Sequence, residues 1–149
     1  MTLNTMRRLG AITLLIVGAV HLQQYIGGDY SVLPTIGPLF LLNAIGAAVV
    51  AIGLLAPVER MLRHRHADLT AGLLAVAALA IAVGSLVALF IAESQPLFGF
   101  MESGYDLPIL IAIVAEALTA LLLAPVAVRN LQGAASGEGP SRSRRALNS

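Results

Sequence analysis

The chain has no cysteine, no tryptophan and no lysine, and only 11% of its 149 residues are charged. Without cysteine there is no disulfide, no thiol nucleophile, no CxxC redox pair and no cysteine-ligated zinc or iron–sulfur cluster. Ordinary soluble domains carry about 25% charged residues. A chain with less than half of that, 58% hydrophobic residues and a mean hydropathy of +0.87 is not built to fold in water. Also absent are a glycine-rich phosphate loop, an HExxH zinc motif and a paired-carboxylate catalytic arrangement. Three histidines remain, of which His64 and His66 sit close in sequence. Two imidazoles two residues apart bind a metal only with further ligands, and Glu59 and Asp68 are the nearby acids, so a solvated loop is the better reading and no metal site is expected.

What the chain does have is four long apolar runs, at residues 9–26, 36–56, 69–92 and 109–128. At 1.5 Å per residue even the shortest reaches roughly 27 Å, about the thickness of a bilayer core. Gly27, Gly28 and Asp29 break the first run. Pro34 and Pro38 stand near the start of the second and Pro57 closes it; Pro96 follows the third and Pro108 precedes the fourth. Proline is tolerated in a first turn, where its missing N–H has no intrahelical partner to lose. The pattern predicts an all-α, polytopic membrane protein, a bundle of four transmembrane helices.

Charge orients it. The net charge is only +1, but all nine basic residues are arginines placed before the first run (Arg7, Arg8), between the second and third (Arg60, Arg63, Arg65) or after the fourth (Arg129, Arg142, Arg144, Arg145). In a four-helix topology these segments share one side, and basic residues are retained in the cytoplasm. The opposite loops carry Asp29, Glu93, Glu102 and Asp106. Both termini are therefore expected in the cytoplasm, with residues 1–8 as a short N-terminal segment and 129–149, rich in Gly, Ser and Arg, as a disordered basic tail. The expected location is the cytoplasmic (inner) membrane of a bacterium. Residues 1–19 also resemble a signal peptide, with Val17 and Ala19 as a cleavage pair, but the apolar run continues past that point. A short echo, LLAPV at 54–58 and again at 122–126, is not matched by its flanks and reads as coincidence in Leu/Ala-rich sequence.

Polar groups inside apolar helices are expensive and need a reason, an ionised side chain costing roughly 2.5–3.5 kcal/mol at the bilayer centre. Each run contributes a strongly polar or small polar residue toward its outer end: His21 in the first, Asn43 in the second, Ser85 in the third and Glu116 in the fourth. Counted inward from the outer ends they lie about 8, 11, 11 and 11 Å deep. All four helices thus place a polar group in one layer of the outer leaflet. Helical spacing puts small residues on the same faces: Ala78, Ala82 and Ala88 beside Ser85, Gly46 and Ala47 beside Asn43, Ala112, Thr119 and Ala120 beside Glu116, and Gly18 and Tyr25 around His21. Small faces are where membrane helices pack, so the layer is expected to face the bundle interior.

The candidate ligand- or proton-binding residues are therefore Glu116, His21, Asn43, Ser85, Thr119 and Tyr25. A buried Glu116 can exchange a proton, pair with an imidazolium at His21 or hold a ligand; equally, it can serve as hydrogen-bonding glue. Asn43 and Ser85 read first as interhelical glue and His21 as a satisfied imidazole. All seven aromatics, three tyrosines and four phenylalanines, fall at the outer end. The outer loop 93–107, ESQPLFGFMESGYDL, is too apolar in its middle for a solvated connector. It either anchors in the interface, the favoured reading, or folds as a lid over the polar layer.

The segment 34–43, PTIGPLFLLN, with His21 upstream and LFGFME at 97–102 before a helix carrying Glu116, resembles a group of small, functionally uncharacterised four-helix membrane proteins of actinobacterial type. The resemblance covers most of residues 8–128. More distantly the plan is similar to DoxX-like four-helix proteins, which implies a quinone-type ligand; the residues themselves identify no cofactor. Two functions remain. The first is a binding or accessory subunit whose outer polar layer takes a small lipophilic ligand or fixes packing. The second is a dimeric proton-coupled small-molecule transporter using Glu116. An enzyme ranks third, because a lone Glu/His pair names no reaction. The expected partners are the bilayer, a second copy or larger membrane complex and a small lipophilic ligand, with no nucleic acid among them.

Overall fold

A computed structural model of the chain describes residues 1–57, 64–102 and 104–136. Among these it contains four helices, α1 (Leu3–Gly27), α2 (Ile36–Leu55), α3 (His64–Ser94) and α4 (Leu107–Ser136), with a 3-10 turn at Tyr30–Val32. All four are long and apolar enough to cross a membrane. Arg60, Arg63, the side chains of His64 and Arg65, and residues 137–149 lie outside the described residues.

The helices overrun the apolar segments. Helix α1 begins at Leu3, six residues before its apolar run, because Thr2 caps it: the Thr2 side chain accepts from the Thr5 N–H at 3.2 Å. Helix α4 starts where the Asp106 carboxylate accepts from the Ile109 N–H at 2.9 Å. It continues to Ser136, so residues 129–136 belong to the helix and not to the tail expected from 129 onward. Polarity marks where a helix leaves the apolar layer; backbone hydrogen bonding decides where it ends. The LLAPV echo has two outcomes. Helix α2 stops at Leu55 before Pro57, whereas Pro125 sits inside α4.

The helices pack as a ring in chain order. Helix α1 contacts α2 and α4 extensively and α4 contacts α3 most of all, while α2 and α3 are the neighbours that touch least. At the end bearing Arg7, Arg8 and Arg129 the interior is filled by small residues and a few leucines and valines, including Ala11, Leu14, Ala51, Leu54, Ala75 and Leu123. Packing there is tight: a Cβ on Gly10 would lie 2.5 Å from Leu123 Cδ2. The outer surface is the reverse, with Leu121 72% and Ile52 65% exposed while Ala47 and Ala75 are 0% exposed. Large apolar side chains outside and alanines inside suit a lipid surround, where close backbone approach, not water exclusion, drives helix association.

The loops after α1 and α3 close the opposite end. Phe98 (φ 53°) and Gly99 (φ 81°) form a two-residue turn between Leu97 and Phe100, which exchange backbone hydrogen bonds of 2.7 and 3.0 Å. The Glu102 N–H donates to the Ala92 carbonyl at 2.9 Å and ties this hairpin to the end of α3.

Candidate functional site

Between α2 and α3, under that hairpin, lies a cavity of about 450 Å³. It fits the ring, in which α2 and α3 are the neighbours that touch least, and its lining includes the small residues Gly46, Gly84 and Ala88. A Cβ on Gly84 would meet nothing within 4 Å. Leu39 and Leu42 line the cavity and are also exposed, so the space opens at the surface of the bundle along the α2–α3 seam.

His21, Asn43, Ser85 and Glu116 all line this cavity and meet on one wall. The His21 ring is held by α1 itself, with Nδ1 2.9 Å from the Val17 carbonyl oxygen. A carbonyl only accepts, so Nδ1 carries a proton and Nε2 of the neutral ring is an acceptor. Nε2 lies 2.9 Å from Ser85 Oγ and 3.9 Å from Glu116 Oε1. Asn43 Nδ2 donates to the same Ser85 hydroxyl at 3.3 Å. Ser85 thus joins α1, α2 and α3, and it faces the carboxyl from α4 as well. His21 and Glu116 are both buried.

The other two sequence candidates lie elsewhere. Thr119 is buried one turn deeper, its hydroxyl 2.8 Å from Thr13 Oγ1 and 2.7 Å from the Ala115 carbonyl, and joins α4 to α1 below the cavity. Tyr25 is half-buried and is not among the lining residues.

Gln24 and Phe40, each three residues from His21 or Asn43 on its own helix, also line the cavity, as do Tyr30, Leu97, Phe100 and Glu102 from the connections, where helical spacing gives no signal. Tyr30 is their centre. Its ring stacks on Phe40 at 4.6 Å and meets Phe100 edge-on at 5.5 Å, while its hydroxyl donates to Glu102 Oε2 at 2.7 Å. Burial, and then the carboxylate it donates to, push the Tyr30 phenol above its ordinary range. Phe40 continues the aromatic wall to His21, with ring centroids 5.0 Å apart. The 93–107 loop therefore turns Leu97, Phe100 and Glu102 over the cavity and leaves Phe98 and Met101 exposed. It acts as a lid, and its exposed side retains the apolar residues an interfacial anchor needs. On the rim, Tyr105 donates to Glu93, and this bond raises the Tyr105 phenol.

The arrangement can do two things chemically. The wall can hydrogen-bond a polar head while the apolar lining takes the remainder of a molecule. The Glu116–Ser85–His21 series can also move a proton, since a hydroxyl between a carboxyl and an imidazole donates to one as it accepts from the other. Among the described residues no group of three or more histidine, cysteine, aspartate or glutamate side chains is arranged to hold a metal ion. No family model, no curated protein and no solved structure matches the chain.

Proposed function

We propose that this is a multi-pass protein of the bacterial cytoplasmic membrane, with its arginines and termini in the cytoplasm, that binds a small lipophilic ligand in the α2–α3 cavity as a binding or accessory subunit. The observation that carries this reading is the combination, in one space of about 450 Å³, of an apolar lining and a single hydrogen-bonded polar wall. Lipid tails are as apolar as leucine, so an apolar lining alone does not draw a molecule out of the bilayer. The polar wall is what makes one guest preferable to another, and 450 Å³ falls within the roughly 300–1,000 Å³ of small-molecule sites.

The test is thermal stability of the detergent-purified chain from about pH 5 to about pH 9, the range in which imidazoles and carboxyls in apolar surroundings titrate. Wild type and Glu116→Gln are compared with and without added quinones and lipophilic cations. A ligand-dependent rise in wild type that changes in the variant supports a site. Flat, superimposable curves overturn it and make Glu116 structural glue.

The proximity of Glu116 to His21, 3.9 Å apart with Ser85 facing both, favours a second reading. In a dimer this carboxyl would exchange its proton against a ligand and drive transport. Proton flux in proteoliposomes that is ligand-dependent in wild type and absent in Glu116→Gln would select it; no flux in wild type would remove it.

A further inference from the structure

We infer that the guest is a lipophilic organic cation, an ammonium with N–H donors, whose charge is met by Glu116 on α4 and Glu102 in the lid. The inference rests on the ligand-binding reading above and names the chemical class of the ligand.

A count of charge and protons carries the argument. Four titratable side chains line the cavity, His21, Tyr30, Glu102 and Glu116; no arginine is among the lining residues, and the chain has no lysine. At the lid, the Tyr30 hydroxyl donates to Glu102 Oε2 at 2.7 Å. Deeper in, Ser85 has one hydrogen and faces two groups that can accept it, His21 Nε2 at 2.9 Å and the Glu116 carboxyl, to which it also hydrogen-bonds. The Asn43 N–H is spent on the Ser85 oxygen and serves neither. One proton shared by His21 and Glu116 completes this wall: the group that holds it donates to Ser85, and Ser85 donates to the other. Without that proton the wall is one donor short. The lining is therefore negative by one charge, from Glu102, with the shared proton in place and by two without it. A carboxylate beside a water-poor space is costly unless a counter-charge is near, and the lining supplies none for Glu102. An ammonium supplies the charge, and its N–H groups supply the donor that the deprotonated wall lacks.

The Gln24 amide is an independent sign of a guest. Gln24 lines the cavity one turn nearer the lid than His21, is only 6% exposed, and its amide has no hydrogen-bond partner among the described residues. Asn43 Oδ1 is sealed off from any guest, whereas the Gln24 amide keeps accessible surface. A Cβ on Gly28 would lie 2.8 Å from Gln24 Oε1 and 3.0 Å from Tyr30 Cδ2, which places the amide beside the Tyr30 ring at the Glu102 end. A buried amide without a partner is costly, and its oxygen is a neutral acceptor for an ammonium N–H. The rings suit the same charge. Phe100, Tyr30, Phe40 and His21 form an unbroken series of contacts at 5.5, 4.6 and 5.0 Å from the lid to the polar wall, and aromatic rings attract cations. The two acids repel carboxylates and phosphates, which removes fatty acids and also zwitterionic phospholipids, whose ammonium is tied to a phosphate. The apolar part of the guest has the mouth at Gly84, where a side chain would meet open space.

The experiment measures binding to the full chain in phosphatidylcholine nanodiscs, which carry no net charge, with uptake by empty nanodiscs subtracted. The probes share one shape: phenylbutylamine, phenylbutanol and phenylbutanoic acid, at neutral pH, where the amine is protonated and the acid ionised. The amine is expected to bind about tenfold or more tightly than the alcohol, with the acid weakest, because a hydrogen bond between two charged groups is the strongest the lining offers. Glu102→Gln keeps an amide oxygen for the Tyr30 hydroxyl, so it should preserve the lid and alcohol binding while lowering the amine preference about tenfold; Glu116→Gln should do the same. Loss of the preference at one acid alone upholds the charge and assigns it to that acid. Gly84→Leu, which fills the mouth without displacing other atoms, should abolish binding of amine and alcohol alike. Alcohol binding as tight as the amine, acid binding tighter than the amine, or an amine preference that survives both Glu substitutions overturns the inference, and loss in Gly84→Leu then leaves the cavity reading standing. If none of the three binds, or if Gly84→Leu binds them unchanged, the cavity reading itself fails.

Discussion

The two ends of the bundle are built from similar residues and pack in opposite ways. At the arginine end, glycine and alanine bring helices together until a Cβ on Gly10 would lie 2.5 Å from Leu123. At the lid end, glycine at position 84 faces open space and a cavity of about 450 Å³ remains. A small residue therefore has no fixed meaning in a membrane helix. It closes an interface where the neighbour carries a leucine, and it leaves a pocket where the neighbouring helix offers no large side chain to fill the space.

Substitutions can break or sharpen that contrast. The largest effect is expected from Gly10→Leu, which overpacks the α1–α4 interface and should lower stability by about 3 kcal/mol, read as a drop in melting temperature in detergent. The same change at Gly84 should be neutral or stabilising by up to about 1 kcal/mol, because leucine favours helix and fills empty space. Equal losses at both positions would show that the two ends pack alike. Next, Ser85→Ala removes the hydroxyl that joins three helices and strands His21 Nε2 and the Asn43 amide. It should cost about 2 kcal/mol in the same assay, whereas Ser85→Thr, which keeps the hydroxyl, should recover most of it. Glu116→Gln comes third: its amide still hydrogen-bonds, so stability should change by about 1 kcal/mol or less while any proton exchange is lost.

The smallest effect concerns the lid. The Tyr30 phenol is held above its ordinary value when the lid is closed over it, and an open lid returns it to about 10. Its contribution to closure is thus complete below about pH 10 and is lost as the pH rises through the closed-lid value. Hydrogen exchange of the Phe100 and Glu102 amides, which are bonded to Leu97 and Ala92, should accelerate in that alkaline range. In Tyr30→Phe the alkaline step should be absent.

Much of this was legible in the sequence, and the parts that were not share a cause. The four apolar runs give the helix number, and a polar residue from each run at matching depth brings His21, Asn43, Ser85 and Glu116 into one layer. Depth is a property of a single helix and can be counted. The angular position of Thr119, buried like His21 and Glu116, turns it toward Thr13 and away from the cavity, and no count along one helix reveals that. Tyr30, Phe100 and Glu102 sit in connections, where neither 3.6-residue periodicity nor hydropathy applies. Their one signal was composition, in the apolar middle of the 93–107 loop, and it did not separate a lid from an anchor because the loop turns Leu97 and Phe100 over the cavity and Phe98 and Met101 to the surface.

The seam between α2 and α3 also decides how binding to this cavity has to be measured. Under the proposed function the seam faces hydrocarbon, so a guest would be dissolved in lipid before it is bound, and the quantity that sets occupancy would be moles of guest per mole of lipid. Doubling the lipid in an assay at constant total guest would halve that ratio and double the apparent dissociation constant expressed per litre of buffer, although nothing about the protein had changed. Occupancy in a cell would accordingly follow the composition of the bilayer, making the chain a reporter of what its own solvent contains.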